Sequence, residues 1–153
     1  MQLQTLSPNG VIFDTNALSI FAKVSRLDLI QQIFTVPLYV TPAIKQELQA
    51  GIDKGITYLS DAMQLIDSGK VGMLIPNRAD KRYMPKLPND FGPGETEGMP
   101  LCHRLNMTFI TRDKKAINVC LRENIGCIPL TDLITIFEQA QLLTSYEVSD
   151  MLA

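Results

Sequence analysis

The stretch V-I-F-D-T-N, Val11 to Asn16, decides how the rest of the chain is read. Three apolar residues run straight into an acid, a hydroxyl and an amide. A short unbroken apolar run reads as a strand covered on both faces. In an open α/β sheet, ligands bind just beyond the carboxyl ends of such strands. Asp14 therefore stands where a sheet presents its chemistry, and the question is whether other acids converge on the same rim.

The surrounding chain has the length and composition for such a sheet. Its 153 residues are 46% hydrophobic and 20% charged, and a chain of this size buries about 70% of its unfolded surface. We expect one domain over residues 1–153. The formal charge of −2 argues against tight non-specific binding to duplex nucleic acid. The uncharged run from Leu29 to Ile44 is too short for a membrane span and is broken by Pro37 and Pro42. With no basic leader at the N-terminus, no membrane association and a cytoplasmic location are expected. Cys102, Cys120 and Cys127 lack C-x-x-C spacing and read as buried free thiols.

Outward from Val11, residues 1–10 read as a polar lead-in and 17–23 as a helical turn. Leu27, Ile30, Ile33 and Phe34 form an apolar helical stripe. Residues 38–40 read as a second strand. Thr41-Pro42 is a helix start, with Gly51 as the expected stop. A further helix is expected over 54–67 and a third strand over 71–75. Residues 76–94, carrying four prolines, are expected to form one long loop. That segment holds Arg78, Lys81, Arg82 and Lys86, and reads either as solvated or as a contact to phosphate.

A helix follows over 95–106, with Gly98 and Pro100 placed in its first turns. A fourth strand covers 107–111. Asp113 opens a helix with Ile117, Cys120 and Leu121 inward, and a fifth strand covers 125–129. Thr131 is expected to cap the next helix, and Thr144 with Glu147 forms a capping box for the last. Strands alternating with helices predict a three-layer α/β/α fold around a parallel sheet of four to five strands.

Four acids fall at matching places in this scheme. Asp14 and Asp113 follow strands. Glu47 lies at the margin of a buried stripe on the helix after the second strand. Glu97 precedes Leu101 and Leu105 by four and eight residues and shares their face. Each has an ordinary structural explanation: Asp14 and Asp113 as helix caps, Glu47 as a solvated residue, Glu97 as a favourable charge in a first turn. Any one alone is more simply structural; four together shift the balance.

At this point the sequence resembles the PIN-domain ribonucleases, in particular the VapC-like prokaryotic PIN proteins. V-I-F-D-T-N is similar to their opening motif, V-T-P-A-I-K-Q-E-L to their second, G-E-T-E-G-M-P-L to the G-E-x-E-A-I-x-L element of one subgroup, and F-I-T-R-D-K-K-A to the final T-x-D motif. The resemblance covers residues 10 to 130. It implies a metal-dependent ribonuclease with Asp14, Glu47, Glu97 and Asp113 as catalytic and metal-binding acids around Mg²⁺ or Mn²⁺. Asn16 and Thr111 would orient water or phosphate. It also implies an RNA substrate, an antitoxin protein as partner and a homodimer. Gly98 and Pro100 depart from the family pattern, which makes Glu95 the substitute acid.

The residue types suit that chemistry independently. Carboxylate oxygens are what Mg²⁺ and Mn²⁺ prefer, and crowded carboxylates should have raised pKa values. Two such ions could activate water on one side of a phosphodiester and stabilise the leaving oxygen on the other. His103 is then not needed and reads as a helix-surface residue. Two other readings compete. V-I-F-D also opens the nucleophile motif of haloacid-dehalogenase phosphatases, but Asn16 stands where their general acid is an aspartate. A catalytically silent PIN-like module that binds RNA or protein would keep the fold without the reaction.

Overall fold

A computed structural model describes residues 7–153; the first six residues of the expected lead-in lie outside the described part. Five strands form one parallel sheet in the order β3-β2-β1-β4-β5. They are β1 (Val11–Phe13), β2 (Leu38–Val40), β3 (Gly72–Met73), β4 (Thr108–Thr111) and β5 (Gly126–Pro129). β1 is central, with Val11 in register with Leu38 on one side and Thr108 on the other. Val11, Ile12 and Phe13 are wholly buried, as the unbroken apolar run requires.

Among the described residues, nine helices cover the sheet: α1 (Thr15–Lys23), α2 (Leu27–Ile33), α3 (Pro42–Asp53), α4 (Leu59–Asp67), α5 (Arg78–Tyr83), α6 (Pro93–Leu105), α7 (Lys114–Arg122), α8 (Leu130–Gln139) and α9 (Ser145–Leu152). Successive strand residues point to opposite faces. Ile12 and Phe109, paired in register, face α6, while Phe13 meets Phe34 edge-on at 5.6 Å. The core therefore lies on both sides of the sheet, giving the three layers expected. No helix among the described residues is long and apolar enough to cross a membrane.

Several local expectations are corrected. Residues 76–94 are not one loop: α5 interrupts them, followed by a 3-10 turn over Met84–Lys86. Asn77 and Asp80 form a reciprocal capping box. The Asp80 carboxylate, 1% exposed, also takes both Arg104 Nε and Nη2 at 2.8 and 3.0 Å. Pro76, Pro85 and Pro88 fall outside α5, so none of them prevents it. Gly51 does not stop α3, which runs on to Asp53; a Cβ there would lie 2.4 Å from the Leu59 side chain, so this glycine lets α4 approach. Thr131 is not a cap, because α8 already begins at Leu130. The helix after Gly51 starts only at Leu59, and β3 keeps just two of the five expected residues. Leu121 is 75% exposed rather than inward.

The largest departure concerns α6, which begins at Pro93. Proline at a first helical position loses nothing, since that N–H has no partner. Pro100 therefore falls in the interior of the helix, with its ring buried. Gly98 is explained by packing: a Cβ there would stand 2.6 Å from Phe109 Cε1 and 3.5 Å from Ile12 Cγ2. Alanine normally favours a helix interior over glycine by about 0.5–1 kcal/mol. Here overpacking dominates, and Gly98→Ala should destabilise by about 1–3 kcal/mol in urea denaturation. A gain in stability would show that α6 does not rest this closely on the sheet.

Candidate functional site

The carboxyl end of β1 and β4 is where the acids gather. Asp14 follows β1 and caps α1: its Oδ1 accepts from Ala17 N at 2.7 Å and its Oδ2 from Thr111 Oγ1 at 2.5 Å. Thr111, the last residue of β4, is fully buried, and its hydroxyl oxygen also accepts from Asp113 N at 3.2 Å. One threonine thus ties the acid of the central strand to the turn that carries Asp113. Asp113 caps α7 through Lys115 N at 3.0 Å.

Glu47, on α3, accepts from Gly94 N at 3.0 Å through Oε1 and from Thr15 Oγ1 at 2.5 Å through Oε2. A Cβ on Gly94 would lie 3.2 Å from Glu47 Oε1, so the glycine permits this approach. Glu97 makes the reciprocal contact, its Oε1 accepting from Ala43 N at 2.8 Å. Each carboxylate therefore meets the first turn of the other's helix, where unpaired N–H groups favour an anion. α3 and α6 are clasped together at their N-termini.

A cleft of about 170 Å³ opens between these elements, lined by Asp14, Thr15, Asn16, Glu47, Gly92, Gly94 and Glu95. Asp113 stands beside it. The Asp14 carboxyl is raised from 3.8 to about 6, by burial first, then by the charges of Glu47 and Asp113, against the hydrogen bonds from Thr111 and Ala17. Glu95 is raised to about 7, by burial, by a hydrogen bond shared with Asp113 and by the charges of Asp113 and Asp14. None of the ion pairs among the described residues involves these acids.

The expected site residues thus divide. Asp14, Glu47 and Asp113 come together with Asn16 and Thr111, and Glu95 joins them at the cleft. Glu97, expected to share the site, directs its carboxylate to the start of α3 and does not line the cleft. Sequence reading missed Thr15 as the partner of Glu47, although it lies within the D-T-N stretch. It also missed Gly92 and Gly94 as lining, although G-P-G-E marks a helix start.

The donors are all oxygen, which suits a hard divalent cation such as Mg²⁺ or Mn²⁺. No three His, Cys, Asp or Glu side chains among the described residues already stand as a ready chelate. An ion held here would keep several waters, since Mg²⁺ takes only one or two carboxylates directly.

Comparison with known proteins gives the following. A family model described as PIN domain matches residues 10–151. Among solved structures, VapBC-1 from nontypeable Haemophilus influenzae superposes with a TM-score of 0.59 at 18% identity, covering 80% of this chain and 98% of that one. VapBC2 from Rickettsia felis, solved bound to a DNA fragment from their promoter, gives 0.57 at 13%, covering 78% and 98%. A domain of a functionally unknown protein from Methanocaldococcus jannaschii gives 0.52 at 16%, covering 79% and 90%. No curated protein matches the sequence.

The raised carboxyls fix the sign of a pH effect. A carboxyl whose folded pKa lies above its unfolded value stabilises the fold at low pH, and that contribution is lost as pH rises through the folded value. Free of divalent ions, the protein should lose stability between pH 4 and about pH 7. The Asp14 share is about 3 kcal/mol at most. In urea titrations with chelator, Asp14→Asn should flatten this slope, and Mg²⁺ at pH 8 should restore stability to the parent. A parent protein whose stability rises through this window would contradict the assignment.

Proposed function

Since the chain belongs to the PIN-domain family, whose model spans residues 10–151, we propose that it is a ribonuclease dependent on Mg²⁺ or Mn²⁺. It would consist of one PIN-like domain over residues 1–153 and hydrolyse phosphodiester bonds of single-stranded or looped RNA. The observation that carries this reading is the cleft itself: Asp14, Glu47 and Glu95 line it, the charge of Asp113 acts on both Asp14 and Glu95, and among the described residues no ion pair neutralises these acids.

In this reading Asp14, Glu47, Glu95 and Asp113 hold the ions. Bound divalent cations supply an activated water and charge stabilisation on the leaving oxygen. The chain's own groups do the rest. Thr111 fixes Asp14 with one of its two oxygens, and Ala17 N holds the other. Thr15 and Gly94 hold Glu47 in the same way, so the two acids enter the cleft pre-oriented. Asn16, at the mouth, is placed to donate to a phosphate oxygen or to a water. Glu95, its carboxyl pushed up to about 7 by burial and by its acidic neighbours, holds a proton that a cation would displace. Glu97 is assigned no bond to the ions; it positions α3 against α6 and so sets the distance between Glu47 and Glu95.

The fold likeness to VapBC structures supports a further reading, that the chain is the toxin of a toxin–antitoxin pair. An antitoxin protein and a homodimer are the partners this implies, in the cytoplasm.

RNA cleavage with Mg²⁺ or Mn²⁺, and its loss with chelator, tests the reading. Asp14→Asn and Glu95→Gln should each lower cleavage more than about 100-fold, beyond the 10–100-fold that outer-shell partners carry. Thr111→Ala should fall within that smaller range. Glu97→Gln, which keeps an acceptor for Ala43 N, should stay within a few-fold of the parent, whereas Glu97→Ala should not. Cleavage that survives Asp14→Asn, or is lost equally in Glu95→Gln and Glu97→Gln, would overturn this assignment of roles.

A further inference from the structure

The net charge of −2 conceals a strong asymmetry. Nine of the 14 lysines and arginines lie between residues 78 and 122. Within that span Arg104 is committed to the buried Asp80, leaving Arg78, Lys81, Arg82 and Lys86 exposed on one segment and Arg112, Lys114, Lys115 and Arg122 on another.

These two segments lie side by side. At its start α7 is joined to the chain before α6, since Lys115 Nζ pairs with Asp90 and lies 6.0 Å from the Phe91 ring. Towards its end, Arg122 and Glu123 lie within electrostatic reach of Tyr83, whose hydroxyl is buried. Residues 83–91 therefore come near α7 at both of its ends. Lys115 and Arg122, spaced i and i+7, lie on one face of α7. Lys86 stands between the two ends, its Nζ 5.2 Å from the Tyr83 ring.

The strip has one open end at the acid cleft. Asp113 caps α7 there, and the chain passes from Asp90 through Gly92 to Glu95. Only two of its bases, Lys115 and Arg122, meet an acid; among the described residues Arg82, Lys86 and Lys114 form no ion pair. Of the large exposed apolar side chains, only Leu121 falls within this region. A protein partner would need an apolar centre to its interface, whereas a polyanionic backbone needs only spaced cations.

We propose that the strip between residues 82–91 and α7 binds the backbone of single-stranded RNA and leads it into the acid cleft. Lys86 and Arg122 are the phosphate contacts, and Lys115 holds the loop that forms the rim of the cleft. The naming of the polyanion as RNA rests on the ribonuclease reading; the strip itself does not.

The test uses the full chain carrying Asp14→Asn, with a short fluorescein-labelled oligouridylate followed by anisotropy across a salt series. Adding Lys86→Glu and Arg122→Glu should weaken binding by about tenfold or more. The slope of log affinity against log salt should become shallower by about 1.4, two phosphates at about 0.7 each. Lys54→Glu with Lys70→Glu, on exposed residues elsewhere, should leave binding near that of the parent, and thermal melts confirm that both pairs remain folded. Unchanged oligouridylate affinity in the strip variant would overturn the proposal. So would a strip variant that loses affinity for polyglutamate but not for oligouridylate, which would assign the strip to an acidic protein segment. The two readings fail separately. RNA cleavage with unchanged KM in Lys86→Glu/Arg122→Glu removes the strip and leaves the nuclease. Strip-dependent RNA binding by a protein that never cleaves removes the nuclease and leaves the strip.

Discussion

A carboxylate buried at the end of the central strand is the constraint on which the rest of the molecule is arranged. Asp14 is only 6% exposed, and an acid at such depth needs partners to offset its lost hydration. Two of those partners come from different elements: a helix start at Ala17 and a β4 hydroxyl at Thr111. Both depend on β1 lying in register beside β4, with Phe13 opposite Ile110. A parallel sheet puts the ends of adjacent strands on one rim, so the helices that follow them also start there. Four helix N-termini, those of α1, α3, α6 and α7, meet the acids of this site.

That geometry reconciles the structural and functional explanations of each acid. Asp14 and Asp113 are helix caps, and Glu47 and Glu97 each bond the first turn of the other's helix. Local capping therefore accounts for the hydrogen bonds. It does not account for the cleft, nor for Asp14 and Glu95 being held well above ordinary carboxylate values. Caps serve one helix each and gain nothing from crowding. The proposed cation would relieve the mutual repulsion among Asp14, Glu95 and Asp113.

Much of this was legible in the sequence, for a physical reason. Buried parallel strands are short apolar runs, and their ends are marked by the first polar residue, so V-I-F-D and F-I-T-R-D locate Asp14 and Asp113 directly. The distinction between Glu95 and Glu97 was not. Helical spacing correctly turned Glu97 inward with Leu101, but inward at that level means the start of α3, a neighbour that only the fold supplies. Glycine was misread for the same cause: Gly51 and Gly98 look like breaks in a helix, yet each admits a side chain from elsewhere, Leu59 and Phe109. The helix α5 was masked by the prolines on either side of it, although Asn77 and Asp80 spell its capping box. Total charge is silent on where charge sits, because basic residues concentrated around α5 and α7 are offset by acids elsewhere in the chain.

Manganese anomalous scattering from crystals of the parent protein tests the central claim most directly. The account requires a peak inside the cleft, within coordination distance of at least one oxygen of Asp14, Glu95 or Asp113, directly or through one water. A cleft without such a peak at saturating Mn²⁺, or an ion seated instead on Glu97 at the start of α3, would contradict it.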